Sequence, residues 1–427
     1  MIDIKILRSQ PEIYKENMKK RFKDPRLIDR VLELDSKWRE LKVNGDKLRS
    51  ERNKISEKIN KEKKLGNKDV SDLIEKARIT LASLERTENE EKKTYEMLQK
   101  ELQKIPNLIH NSVPIGRDSR ENVIIREWGK VSKPRFDIIN HAELLEQLNL
   151  ADFEAGRKNA GYSFNYLIGD IALLDYALQR YGMDFITKKG FTPIIPPLLL
   201  NFETIFSVLN GLEDFENMIY KIENENLYLI GTGEHPLVSL FKDKTLNKKS
   251  LPIKLCTLTP CFRKEIGSHG LDTKGLFRMH QFNKVEQVIF CCEEESYNAL
   301  EEMQRIAEEF FKTLEIPFRV VEICSGDLGN KFSKQYDIEA WFPRQRKYAE
   351  VTSAGNCTDF QSRALNTKYI DGQEKKYVHI LNSTVVATSR AMVAIIENYQ
   401  QKDGSIKIPK VLWKYMGGKR VIQKRAV

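Results

Sequence analysis

TPCFRKEIGSHGLDTKGLFRMHQFNKVE, residues Thr259 to Glu286, sets two strand-like runs around a turn. Gly267 and Gly270, with Ser268, Asp272 and Thr273 beside them, supply the turn chemistry, so the stretch reads as a hairpin. Arg263 and Glu265 are two apart and share a face if the strand reaches them, while Arg278 and Phe282 lie four apart on the returning run. Guanidinium forks grip phosphate oxygens and an aromatic ring stacks on a base, so the set suits a nucleoside triphosphate. An ordinary exposed hairpin accounts for these residues equally well, and the rest of the chain has to decide.

The 427 residues suffice for two or three domains. Seventy-one basic against 61 acidic residues leave a charge of +10, which favours a polyanionic partner. Half of that excess sits between Arg52 and Lys68, where Arg52, Lys54, Lys58, Lys61, Lys63, Lys64 and Lys68 face only Glu57 and Glu62. No apolar run approaches a membrane span and MIDIKILRSQ has no signal-peptide core, so a cytoplasmic protein without membrane contact is expected. The six cysteines form no CxxC pair and no zinc framework, so no zinc is expected.

From Leu27 to Ile59 apolar residues recur in four-three spacing, with Gly45 and Arg52 in two slots. A second run places Ile74, Ala77, Leu81, Leu84, Tyr95, Leu98, Leu102 and Ile105 in the same rhythm. Gly66 and Asn67 between them make a turn easy, so an antiparallel helical hairpin is expected, each helix roughly 50 Å long at about 1.5 Å per residue. Heptads more often serve dimerisation alone, but lysines gathered at the hairpin's tip suit nucleic-acid phosphates. Beyond Ile105 the helical rhythm stops, and Pro106, Pro114, Gly116 and Pro134 punctuate the chain. The division expected is an arm over 1–112, a linker over 113–140 and a second, larger domain over 141–427.

In that last part, helical stretches such as GDIALLDYALQRYGMDFITKKG mix irregularly with strand-like NLYLIGT, PFRVVEICSG and YDIEAWF, which predicts an α+β fold on a mixed or antiparallel sheet. Neither common phosphate-loop motif occurs. GFTPIIPPLLL, with Pro193, Pro196 and Pro197, suits an edge or interface strand, or simply a turn. GTGEHPLV puts Thr232 and Glu234 on one face if its strand continues, a pair able to receive an ammonium group. YAEVTSAGNCTDFQSR carries Glu350, Thr352, Ser353, Asn356, Thr358 and Asp359, which fit Mg²⁺ and hydroxyl contacts or an exposed polar loop. Arg390 opens the apolar helix AMVAIIEN and, if buried there, needs an anionic partner.

In this order the four segments resemble the class II aminoacyl-tRNA synthetases, and their detailed wording is similar to that of the seryl-tRNA synthetases. Pro193 to Pro197 fit the interface motif, FRKE (Phe262 to Glu265) and Arg278 to Phe282 the second motif, and Arg390 the third. Thr232 with Glu234, HQFNKVE, DIEAWFP, NCTDFQSR and the arm are the seryl signals, and the likeness covers essentially the whole chain. The resemblance implies a helical arm followed by an antiparallel sheet flanked by helices, in a homodimer. It implies ATP-dependent attachment of L-serine to a tRNA with a long variable arm, through seryl-adenylate, and serylation of selenocysteine tRNA where that is present.

Carried over residue by residue, it places Arg263 on the α-phosphate, Glu265 on the adenine side, Arg278 and Arg390 toward the outer phosphates, and Phe282 under adenine. Met279 lends backbone contacts, Lys264, Val351 and Thr352 complete the nucleotide set, and Glu350 with Ser353 would hold Mg²⁺. Arg263, Glu265 and Arg390 would carry catalysis. For serine, Thr232, Gly233 and Glu234 would surround the ammonium, Arg263 would meet the carboxylate, and Glu286 with Thr384 the hydroxyl, beside Asn382. The basic residues from Arg52 to Lys68 would meet the tRNA. Two positions depart from the family: Gly233, usually alanine or serine, and Leu271, usually arginine. An enzyme that loads carrier proteins would lack the arm, and a non-catalytic paralogue would be expected to lose Arg263, Glu265 or Arg390.

Overall fold

The computed structural model describes residues 2–66, 69–131, 134–209, 211, 215, 217–266 and 275–426. The expected turn residues Gly267 to Thr273, the departure at Leu271, and Asn67 with Lys68 lie outside these. The chain divides into two compact units. The smaller comprises Ile2–Lys19 and Lys23–Ile105; the larger takes Lys20–Phe22 and everything from Pro106.

The smaller unit is the helical hairpin, built from α1 (Arg26–Lys64) and α2 (Ser71–Leu102) packed together. In α1 every slot of the expected seam from Leu27 to Ile59 is buried or half-buried, Gly45 and Arg52 included. In α2 alternate slots shift by one residue: Ile74, Leu81 and Tyr95 are exposed, and Leu73, Thr80 and Thr94 face inward. A four-three spacing through Ala77, Leu84, Glu91 and Leu98 fits either choice, and the narrower threonines win the inner positions. Trp38 and Tyr95 pack 5.3 Å apart, and Lys37–Glu90 and Arg49–Glu88 ion pairs at 2.8 and 2.7 Å join the helices. Lys54, Lys58, Lys61, Lys63 and Lys64 are exposed toward the end of α1, whereas Arg52 is partly covered and bonds Asn53.

The larger unit centres on eight strands: β1 (Val123–Trp128), β2 (Thr192–Pro193), β3 (Ile253–Phe262), β4 (Gln281–Cys291), β5 (Phe318–Glu322), β6 (Lys334–Phe342), β7 (Lys347–Asn356) and β8 (His379–Ala387). They form one sheet in the order β1-β5-β6-β7-β8-β4-β3-β2. Only β2 and β3 run parallel; the other pairs are antiparallel. β2 is the proline strand, and it takes the edge as its missing N–H donors require.

The linker expected over 113–140 is corrected. Val123–Trp128 is an edge strand paired with β5, and the larger unit begins at Pro106 rather than 113. Prolines and a glycine flank this strand, which hid it. Asn107 belongs to the larger unit, its side-chain amide donating to the Lys331 and Cys357 carbonyls at 3.0 and 2.9 Å.

Helices α3 (Asp170–Thr187), α5 (Ser296–Thr313) and α6 (Thr388–Tyr399) pack on the sheet, with α4 (Glu234–Ser239) between α3 and α5 in sequence. Strand alternation divides the two faces. Val285 and Ile289 of β4 join Leu178, Phe310 and Val393 of these helices in the main core. Phe282, Lys284 and Glu286 therefore point to the opposite side.

Candidate active site

That opposite face carries a cleft whose empty volume, solvent at its mouth included, is about 1030 Å³. Of the residues expected to hold nucleotide and serine, all but Lys264 and Gly233 line it. Lys264 is fixed through its backbone, its N–H donating to the Met218 carbonyl at 2.9 Å.

The hairpin is present, but β3 ends at Phe262, so Arg263 and Glu265 do not share a strand face. Glu265 adopts φ +50, a left-handed conformation that costs on the order of 1–3 kcal/mol for a non-glycine residue and persists only where neighbours fix it. Two pins flank it. The Arg263 N–H donates to the His280 carbonyl at 2.9 Å, and the Lys264 N–H to Met218. The Arg263 Nε donates to the Gly231 carbonyl at 3.0 Å, and its guanidinium lies 5.4 Å over the Phe282 ring. His280 is held by Tyr220 at 2.9 Å and stacks on Phe164.

Thr232 and Glu234 do not continue a strand either: Glu234 opens α4. Their order matters through Glu286. The Thr232 hydroxyl and the Glu234 backbone N–H both donate to Glu286 Oε2, at 2.5 and 2.6 Å, while Lys284 Nζ meets Oε1 at 2.6 Å. Sheet register sets Glu286 directly between Thr257 on β3 and Thr384 on β8. Thr257 Oγ1 is buried with no hydrogen-bond partner. Gly233 stands behind this group: a Cβ there would lie 2.6 Å from Thr257 Cγ2 and 3.1 Å from Glu286 Oε2.

The Glu234 carboxylate accepts from Lys331 Nζ at 2.6 Å and Gln361 Nε2 at 2.8 Å, both on Oε1. No local pattern pointed to Lys331 or Gln361, which lie 97 and 127 residues away. Lys284 could have been found, since it stands two before Glu286 on one strand and so shares its face. His235 was also missed. Burial, and then the Lys331 ammonium, hold its imidazole well below the usual 6.5, so it is neutral, and its Nδ1 has no hydrogen-bond partner.

Across the cleft, Glu350, Thr352 and Ser353 lie on strand β7 rather than in a loop. Arg390 meets Glu350 Oε1 at 3.0 Å and lies 5.2 Å over Phe277, while Arg278 approaches Glu265 at 3.8 Å. Ser353 Oγ accepts from Gln335 Nε2 at 3.0 Å. Opposite Ser353 on β6, burial and the neighbouring Glu350 push the Asp337 carboxyl upward. Glu350 and Ser353 are hard oxygen donors of the kind Mg²⁺ takes together with substrate phosphates. No group of three or more His, Cys, Asp or Glu among the described residues could hold a metal ion. All six cysteines are buried free thiols.

A long antiparallel sheet with an arginine-lined cleft, in a chain that also carries a helical hairpin, is the architecture of a class II aminoacyl-tRNA synthetase. The family model "tRNA synthetase class II core domain (G, H, P, S and T)" matches residues 218–399, and "Seryl-tRNA synthetase N-terminal domain" matches 1–109. The serine–tRNA ligase of Methanoculleus marisnigri is 45% identical, over 99% of this chain and 100% of the relative. The crystal structure of seryl-tRNA synthetase from Pyrococcus horikoshii, complexed with ATP, superposes with a TM-score of 0.88 at 44% identity, covering 100% of both chains. The cytoplasmic serine–tRNA ligase of Naegleria fowleri, in complex with AMP, gives 0.81 at 35%, over 97% and 96%. The chain belongs to the seryl-tRNA synthetase family and is a serine–tRNA ligase.

Proposed function

We propose that this ligase works through seryl-adenylate, with the residue roles that its resemblance to the seryl-tRNA synthetases implies. A carboxylate oxygen of serine attacks the α-phosphorus of ATP and the bond to the bridging oxygen breaks, releasing pyrophosphate. A terminal ribose hydroxyl of the tRNA then attacks the seryl carbonyl and AMP leaves. Positioning and charge neutralisation suffice for both steps, so no protein nucleophile is needed.

Arg263, which lines the cleft, serves both the α-phosphate and the serine carboxylate. Phe282 underlies adenine, and Arg278 and Arg390 turn from Glu265 and Glu350 to the outer phosphates. Glu350 and Ser353 would hold Mg²⁺, which supplies charge neutralisation at the phosphates. Both contacts on Glu234 fall on Oε1, which leaves Oε2 for the serine ammonium. The observation that carries the serine reading is Glu286. Its carboxylate is paired with Lys284 and aimed by Thr232 and the Glu234 amide, so it accepts the substrate hydroxyl. A substrate without that hydroxyl leaves buried polar groups unpaired, at about 1–3 kcal/mol each.

The exposed lysines of α1 meet phosphates of a tRNA with a long variable arm, the Pro193–Pro197 edge serves a homodimer, and selenocysteine tRNA is a further substrate where present. No helix among the described residues is long and apolar enough to cross a membrane, and a cytoplasmic location goes with this reading. The test is ATP–pyrophosphate exchange with serine, threonine, alanine, glycine and cysteine. Exchange with serine far above the others is expected, and no exchange with any overturns the reading.

A further inference from the structure

Apart from the cleft, the larger unit holds a second sheet of three short strands, Thr245–Asn247, Lys368–Asp371 and Glu374–Tyr377, with the middle one in sequence also central in space. Its two faces are chemically unlike. Tyr369 is 1% exposed and packs with Val208, Leu237 and Phe290 in an apolar cluster, with Leu246 beside it. Directly opposite Tyr369 in the ladder stand Lys376 and Leu246, so these share the inner face, and so do Asp371 and Glu374. On that side Asp371 collects Lys248 at 2.9 Å and Lys376 at 3.1 Å.

The outer face consists of Thr245, Asn247, Lys368, Ile370, Lys375 and Tyr377. It contains two cations and no carboxylate. Neither Lys368 nor Lys375 enters an ion pair among the described residues. Lys368 Nζ lies 4.9 Å over the Tyr377 ring, and Arg363, itself paired with Asp359, lies 4.5 Å from the same ring. Ile370 is 45% exposed between Lys375 and Asn247. The acids of these strands, Asp371 and Glu374, lie across the sheet, and Asp371 pairs there with Lys248 and Lys376.

We infer that this outer face is a second RNA-binding surface, which contacts backbone phosphates through Lys368 and Lys375 and sugar or base through Tyr377, Thr245 and Asn247. Charge complementarity selects the partner: two unpaired ammonium groups flanking an aromatic and neutral hydrogen-bonding side chains fit a ribose-phosphate chain. The RNA is the tRNA substrate, and in this the inference rests on the function proposed above. An acidic protein partner, or a merely solvated face, are the outcomes the experiment excludes.

The experiment uses the full chain and unfractionated tRNA containing the serine acceptors. Direct tRNA binding is measured by filter retention across a salt series, alongside serine-dependent ATP–pyrophosphate exchange without tRNA. The double substitution Lys368→Glu with Lys375→Glu is expected to weaken tRNA binding at least about tenfold and to leave exchange unchanged, which also certifies the fold. Lys368→Gln with Lys375→Gln is expected to reduce the slope of log affinity against log salt by about 1.5, from roughly 0.7–0.9 per phosphate contact. Binding within twofold of the parent chain together with an unchanged slope overturns the inference, whether the face is solvated or meets an acidic protein. A parent chain that binds tRNA but shows no exchange overturns the enzymatic reading, and the two double variants then still decide the face by binding alone.

Discussion

The Leu276 backbone N–H donates to Nε2 of His141 at 3.1 Å. That nitrogen is therefore unprotonated, and the Nδ1 side of the ring looks toward Glu397 Oε1 at 4.0 Å. Gly275, at φ +118, passes so close that a Cβ would lie 2.2 Å from the ring nitrogen. The contact anchors the chain just before Phe277 and Arg278, both of which line the cleft.

His141→Gln keeps an acceptor near the place of Nε2, whereas His141→Phe leaves a buried N–H unpaired at about 1–3 kcal/mol. The glutamine variant should retain the parent KM for ATP. The phenylalanine variant should raise it roughly tenfold, with the KM for serine little changed. Equal kinetics in the two variants would show that the hydrogen bond does not position Arg278.

Arg263→Lys preserves charge but loses the fork and the Nε bond to Gly231. Pyrophosphate exchange should drop by about 10²–10³, the range for removing one donor to developing charge. The melting temperature should barely move. Normal exchange would refute the role given to Arg263.

Gly233→Ala sets a methyl against Thr257 Cγ2, Thr259 Oγ1 and Glu286 Oε2. We expect serine KM to rise roughly tenfold while ATP KM holds, a loss on the scale of overpacking a tight wall. Adding Thr257→Ser removes the methyl it strikes and should restore most of the loss. If the double variant is no better than the single one, crowding at Thr257 is not the cause.

His235 is a base whose folded pKa is depressed by burial. The unfolded chain then binds the extra proton, so this contribution is complete above the ordinary 6.5 and is lost as pH falls below it. The slope is up to about 1.4 kcal/mol per pH unit for one proton. Urea midpoints followed downward from pH 7 should fall less steeply for His235→Met than for the parent chain. Parallel curves would exclude the effect.

Shortening the hairpin between Lys47 and Glu85 should abolish tRNA charging and spare serine-dependent exchange. Equal loss of both activities would sink the assignment of the arm to tRNA.

Features written in local spacing were legible from the sequence. The heptad seam of α1, the β3–β4 hairpin, the proline edge strand and the charge at the end of α1 each depend on residues a few positions apart. The reading faltered where two local solutions were equivalent, as at Leu81 against Thr80 in α2. It also faltered where flanking prolines masked a strand, as at Val123–Trp128. Resemblance, rather than spacing, supplied the roles of Glu350 and Arg390, which pattern alone left open.

By itself, then, the sequence determined which residue types were available and which strands could carry them: arginines and an aromatic around one hairpin, and Glu286 two positions beyond Lys284. Only the tertiary structure decided that Glu286 would sit between Thr257 and Thr384, that Lys331 and Gln361 would converge on Glu234, and that Thr232 would hold Glu286. The physical reason is range. Strand and helix periods repeat within a few residues, but a buried ion pair spanning 97 residues depends on which strands become neighbours, and that choice is made by the packing of the whole sheet.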